Sequence, residues 1–337
     1  MERSNVFKHH LKVEIRHLIP RSVVGFNIFM EKNGKLLLYK PGGETISEEH
    51  IERMLAMGSE FLFIEEEERR EVMEYYEANL DTMLKSEHIP PPQKSRILHS
   101  VTESIVEKSF AKPENPANLP KWEKSVRDSF SFILDNQDVF ESMITIAEKD
   151  AYTYTHSVNV SLLLMGFAID SGLQDSQEIQ RVGLGGLLHD LGKAEVPDPI
   201  LKKPGALSMT EWLVMQKHPE IGVRLSQFHP QISEQSRVII AQHHESVRGT
   251  GYPKKLTGDR IDYWGRVCKI VDAYDALTSN RPYSFAVTPV EALKKMIAAD
   301  TFDKRLLRHF IHFLNLERMN SLRDRFMLLA PAPAHPG

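Results

Sequence analysis

In the second half of the chain, apolar residues return every three or four positions, and no stretch shows a credible two-residue alternation. The segments 139–169, 179–188, 211–228, 232–242, 267–277 and 289–316 follow this period, which marks helices with a buried face. From Trp122 onward the sequence therefore predicts an all-helical domain. The first 65 residues read differently. Stretches 23–30 and 35–39 are strand-like, and Asn33-Gly34 between them is a hairpin signal. Thr45 or Ser47 can cap a helix running to about Met57, with Glu48 and Glu49 in its first turn. Gly58 ends that helix, and 61–64 reads as a further strand.

Between these regions, the acidic run 65–68 and Arg69-Arg70 open a charged helix to about Ser86, best read as a solvated face. Pro90-Pro91-Pro92 breaks the chain, a helix follows over 95–110, and a polar, proline-bearing stretch covers 112–120. The fold class is thus mainly α. A small α/β module with a helix is expected over 1–88, a linker with a helix over 89–120, a helical domain over 121–329 and a disordered Pro/Ala-rich tail over 330–337. The helices between 95 and 150 either form a homodimer interface or link the domains.

Composition narrows the function classes. A net charge of −4 argues against a binder of nucleic-acid polymers, so a phosphate-bearing ligand needs a local patch of metal or basic side chains. The single cysteine, Cys268, excludes an internal disulfide and reads as a buried structural thiol. The longest apolar run, around 162–169, is far short of the about 20 residues of a membrane span. Residues 1–10 are polar and lack a signal-peptide core. A cytoplasmic protein is expected.

The helical domain holds most of the candidate chemistry: His156, His189, Asp190, His218, His243, His244 and Asp272. His156 shares a helix face with Tyr152, Asn159, Val160 and Leu163. Alone it reads as a hydrogen-bonded core histidine more often than as a ligand. His189-Asp190 ends the apolar run 184–188. Burying a carboxylate is costly, and a metal removes that cost; a capping aspartate after a core histidine is the plainer alternative. Asp190 can aim one oxygen at the metal of His189 and the other at a second metal. Lys193 can share their face and would suit a phosphate oxygen, or be an ordinary surface lysine. His243-His244 can give two imidazoles to one metal, and Asp272 flanks the apolar face of its helix. Histidine and aspartate without cysteine make an oxygen/nitrogen site, for iron or manganese rather than structural zinc. Seven candidate ligands suit two metal ions better than one.

At these residues the chain resembles the HD-GYP subgroup of the HD hydrolase superfamily. The resemblance covers about 150–316. It rests on the segment from Asp150 to His156, on His189-Asp190-Leu-Gly-Lys193, on His243-His244-Glu245 leading to Gly249-Thr-Gly251-Tyr252-Pro253, and on Asp272 to Ser279 with Arg281-Pro282-Tyr283. It implies a helical domain with a metal centre that hydrolyses cyclic di-GMP, or a related cyclic dinucleotide such as cyclic GMP-AMP, to the linear dinucleotide. It also implies diguanylate cyclase (GGDEF) proteins as partners. Carried over, His156, His189, Asp190 and Asp272 hold one metal, and Asp190, His218, His243 and His244 the other, with Asp190 bridging. Asp190 and Lys193 would be catalytic. Lys193 and Arg281 match residues that contact substrate phosphates, and Gly251 and Tyr252 lie in the GYP loop near the substrate. Some members bind a third metal through a glutamate where this chain has Tyr152, so two metals are expected. Arg248 stands where an aspartate is common, and Ser284 where a lysine is common. The first 65 residues look like the small module that often precedes such domains. The alternatives are a cyclic-dinucleotide receptor with little turnover, another HD-type phosphohydrolase acting on nucleoside phosphates, and a structural partner-binding protein that holds no metal.

Overall fold

The computed structural model describes residues 9–136, 153–279 and 286–314. Contacts divide the chain into two units, Met1–Val101 and Thr102–Gly337.

The first unit is built on an antiparallel sheet in the order β1 (His10–Glu14), β6 (Phe61–Glu65), β3 (Ile28–Lys32) and β4 (Lys35–Lys40). β2 (Val23–Val24) and β5 (Glu44–Thr45) pair separately. The β3–β4 turn falls at Asn33-Gly34, with φ of 56° and 75°, the positive values a two-residue hairpin demands. Ser47 caps α1 (Glu48–Ala56) by accepting from the His50 N–H. The expected strand 23–30 is broken: Val23 and Val24 pair with β5, and β3 starts at Ile28. At the break, the Asn27 side chain accepts from the Gly42 N–H at 3.0 Å in place of a ladder bond. β1 was not expected. Only Val13 of its five residues is buried, so its alternation is weak. Helix α2 (Arg69–Lys85) turns Val72, Tyr75, Tyr76, Leu80 and Met83 inward and its charges outward.

Helix α3 is Pro91–Phe110 and α4 is Asn118–Asp135. Both start earlier than expected, because prolines fit the first turn of a helix, where an N–H has no partner in any case. In the second unit, α5 (Thr153–Asp170) packs against α6 (Ser176–Leu188) and α11 (Tyr263–Thr278). Val158, Val160, Leu163, Leu164, Met165 and Phe167 of α5 are buried, and an all-round apolar helix belongs at the centre of a bundle. Each such side chain contributes about 1.5–3 kcal/mol. α6 also packs on α10 (Glu234–Gln242). Two glycines allow these approaches: a Cβ on Gly185 would meet Ile239 of α10 at 2.7 Å, and one on Gly186 would meet Leu164 of α5 at 2.6 Å. After α6 come a 3-10 turn, Leu191–Glu195, and the short α7, Asp198–Leu201. The expected helix 211–228 divides into α8 (Met209–Met215) and α9 (His218–Ser226), with Pro219 in the first turn of α9. The expected helix 289–316 divides into α12 (Pro289–Ala298) and α13 (Lys304–Phe313), with Asp300 at φ 43° between them. Residues 137–152 and the tail 330–337 lie outside the described residues. Among the described residues, no helix is long and apolar enough to cross a membrane.

Candidate metal centre

His189, His218 and His243 reach the centre by one local device. His189 is the C-cap of α6 and His243 the C-cap of α10, while His218 opens α9 just after α8 ends. Each Nδ1 faces the main-chain carbonyl three residues back: Gly186 at 2.7 Å, Met215 at 2.8 Å and Ile240 at 2.9 Å. The last carbonyls of a helix lack intrahelical partners, and an imidazole there supplies one. A carbonyl only accepts, so Nδ1 donates in all three, and Nε2 is left as a bare lone pair.

These lone pairs meet around Asp190. Its Oδ1 lies 3.3 Å from His218 Nε2 and 3.9 Å from His243 Nε2. Its Oδ2 lies 3.4 Å from His189 Nε2 and 4.0 Å from His156 Nε2. Asp272 faces His156 Nε2 at 3.1 Å and His244 Nδ1 at 3.7 Å. Two sets of donors result: Asp190, His218, His243 and His244, and His156, His189 and Asp272, each with its ligand atoms within 4.8 Å of one another. One oxygen of Asp190 faces each set.

Two observations show that the residues fit a cation. His218 Nε2 and His243 Nε2 are 3.1 Å apart, although both nitrogens are acceptors by the tautomers above. Asp190 Oδ1 is buried without a hydrogen-bond partner. Facing lone pairs and an orphaned carboxylate oxygen are costly inside a protein unless a cation binds them. The protonation states of three histidines agree. Burial pushes His218 down to about 4, His244 down to about 3, and His243 well below its ordinary value. These three stay neutral and able to ligate. His156 differs. Burial works against its charge, but hydrogen bonds to Asp272 and Asp275 prevail and raise it to about 9. Burial also opposes ionisation of Asp190 and Asp272, yet both are held well below the carboxylate range, Asp190 by Lys193 and His189 and Asp272 by His156 and His244.

Close backbone approaches fix this geometry. Gly192 lies so near α9 that a Cβ on it would sit 1.9 Å from the His218 carbonyl oxygen. Gly251 is buried against the main chain after His243, where a Cβ would be 2.5 Å from the His244 oxygen. Glu245, fully buried, accepts from the Lys254 and Leu256 N–H groups at 2.6 and 2.9 Å. It holds the glycine loop rather than a metal. Tyr252 of that loop lies over His244, with ring centroids 4.7 Å apart and 31° between planes. Burial, with Asp272 and Asp190 nearby, raises its phenol above the ordinary value. Lys193 Nζ donates to Asp190 Oδ2 at 2.5 Å. Arg248 pairs instead with exposed Asp300, its Nε donating at 3.0 Å.

Sequence reasoning missed Asp275. Its Oδ2 lies 2.6 Å from His156 Nδ1, and its Oδ1 accepts from Asn159 Nδ2 at 2.8 Å. Asp275 is three residues after Asp272, hence on the same face of α11, and that spacing was the available signal. Arg281, Tyr152 and Ser284 lie outside the described residues.

A family model described as HD domain matches residues 139–306. A Pseudomonas aeruginosa protein named cyclic di-GMP phosphodiesterase is 36% identical over 191 residues, 56% of this chain and 46% of that one. A Vibrio cholerae protein named 3'3'-cGAMP-specific phosphodiesterase 2 is 35% identical over 161 residues, 48% of this chain and 31% of its own length. This chain thus spans less than half of either relative. In fold, the chain matches a Bdellovibrio bacteriovorus structure described as an HDG"Y"P protein, with a TM-score of 0.64 and 23% identity over 91% of this chain and 99% of that one. With half of its length matched by the family model, and with the paired His-Asp sets that the HD and GYP segments bring together, the chain belongs to the HD-domain family and carries its HD-GYP pattern.

Proposed function

We propose that this protein hydrolyses the phosphodiester bond of cyclic di-GMP to the linear dinucleotide, using two metal ions, iron or manganese. The observation that carries the reading is the pair of buried nitrogen/oxygen donor sets flanking Asp190. His156, His189, Asp190 and Asp272 would hold one ion, and Asp190, His218, His243 and His244 the other. Bound ions supply Lewis acidity toward phosphate and a nucleophile from water at neutral pH. The absence of sulfur among the donors suits iron or manganese. The names of relatives in two organisms support a cyclic dinucleotide as substrate.

The chain's own residues bind and orient. Lys193 gives one N–H to Asp190 and keeps two for a phosphate oxygen. Arg281 would add a second cationic contact to phosphate. Tyr252 keeps its phenolic proton at working pH, because its pKa is raised, and so offers a donor beside His244. Gly251 lets the loop lie close over the centre.

The test is cyclic di-GMP turnover by protein purified without oxygen and loaded with iron or manganese, with products separated by chromatography and Asp190→Ala as control. Linear dinucleotide from the wild type alone supports the reading. Metal-loaded protein that binds cyclic di-GMP and forms no product would make it a receptor. Preference for cyclic GMP-AMP in the same assay would move the substrate to the chemistry named for the Vibrio cholerae relative.

A further inference from the structure

Helix α8 presents an unusual surface beside the centre. Met209, Trp212 and Leu213 are 74%, 42% and 54% exposed, although large apolar side chains normally turn inward. The helix is held in place. Ser208 and Glu211 form a reciprocal cap at its start, and Glu211 also pairs with Lys203 at 2.6 Å. Trp212 meets Tyr252 edge to face, with centroids 5.8 Å apart and 82° between planes. Tyr252 in turn lies over His244. An unbroken series of rings thus runs from a candidate metal ligand out to a half-exposed indole.

We propose that Trp212 is a stacking platform for a purine base of the substrate, with Tyr252 bracing its edge. The assignment rests on the phosphodiesterase reading above. A phosphodiester bound at the centre leaves the nucleobases to be held by other groups, and every base offers an apolar π face. Indole is a strong partner for such a face, and stacking tolerates either guanine or adenine. Continuity with His244 favours a substrate base over a separate protein partner as the occupant.

The protein has three tryptophans. Trp122 and Trp264 are 0% and 6% exposed, so iodide quenching of fluorescence reports Trp212. With metal-loaded full-length protein, GMP and cyclic di-GMP should protect this fluorescence from iodide, whereas ribose 5-phosphate, which lacks a base, should not. Trp212→Ala should raise KM for cyclic di-GMP roughly tenfold or more, and Trp212→Phe should stay within about threefold of the wild type. Wild-type turnover without protection by GMP, and with KM unmoved in Trp212→Ala, would overturn the platform and leave the phosphodiesterase standing. A wild type that neither binds nor cleaves any cyclic dinucleotide would overturn both.

Discussion

The two donor sets of the centre are built by different means. In one, His218 and His243 are oriented by main-chain carbonyls of their own helical turns. In the other, His156 is oriented by the side chain of Asp275, which stands 119 positions away in sequence. A carbonyl is neutral and leaves burial to dominate, so His218 falls to about 4. Carboxylates add charge, so His156, hydrogen-bonded to Asp272 and Asp275, rises to about 9 against the effect of burial. The first set is thus a product of local chain geometry. The second joins His189, oriented in the same local way by the Gly186 carbonyl, to a His156–Asp272 pair that depends on α5 and α11 being packed in register, where a single side-chain change can reach it.

Asp190 belongs to both sets, and its loss should have the largest effect. Asp190→Asn should lower turnover by roughly a thousandfold, the several kcal/mol that metal ions give to phosphoryl chemistry. Elemental analysis should show both ions depleted. Retention of one full equivalent of metal would show that the sets are independent. Asp275→Asn should instead strike one set alone. Removing a carboxylate behind a ligating histidine lowers metal affinity by about 10–100-fold. A chelator titration followed by elemental analysis should show one ion leaving early and the other leaving as in the wild type. Simultaneous loss of both would erase the distinction between the sets.

The contrast also explains what could be read from sequence. His189, His218 and His243 lie in short local motifs, because a histidine at a helix end needs only its own preceding carbonyl. These three were therefore legible, as was the helical class of the domain; His156, His244 and Asp272 were singled out too, with the motifs of the resemblance. Asp275 was not singled out, since a carboxylate behind a ligand shows its role only when a second helix brings His156 to it. The division of 211–228 does not show in its three-to-four-residue apolar period, although the turn before Pro219 is what presents His218. β1 was missed because one buried side chain in five carries too little pattern. The exposure of Trp212 runs against its helical period and became visible only with Tyr252 beside it.

A smaller effect should follow from disturbing the main-chain scaffold of the first set. Gly192→Ala places a methyl against the His218 carbonyl and the Gly222 nitrogen, at 1.9 and 2.6 Å. These are backbone atoms, so α9 must move. Overpacking of this kind costs about 1–3 kcal/mol, and a unit of this size loses roughly 2–4 °C in Tm per kcal/mol. Calorimetry should show a Tm lower by about 2–12 °C, with metal lost first from the set containing His218. An unchanged Tm and metal content would mean that the approach of the 3-10 turn to α9 does not fix that histidine.

The smallest effect is expected where the chain departs from its family pattern. Arg248 follows the His243-His244 pair by a few residues, so a phosphate contact would have been a natural role. It pairs with Asp300 instead, both side chains being largely exposed. Hydrogen bonds from Lys304 and Arg248 hold the Asp300 carboxyl below its ordinary value. A depressed carboxyl pKa contributes stability above the unfolded value, and that contribution is lost only as pH falls through the folded one. The pair is therefore fully formed at neutral pH, where turnover would be measured. Arg248→Ala should leave KM for cyclic di-GMP within about twofold, as expected for an exposed guanidinium already paired with Asp300. A rise of tenfold or more would mean that the guanidinium leaves Asp300 for the substrate. The loop after His243 would then supply charge to phosphate as well as main-chain support to the centre.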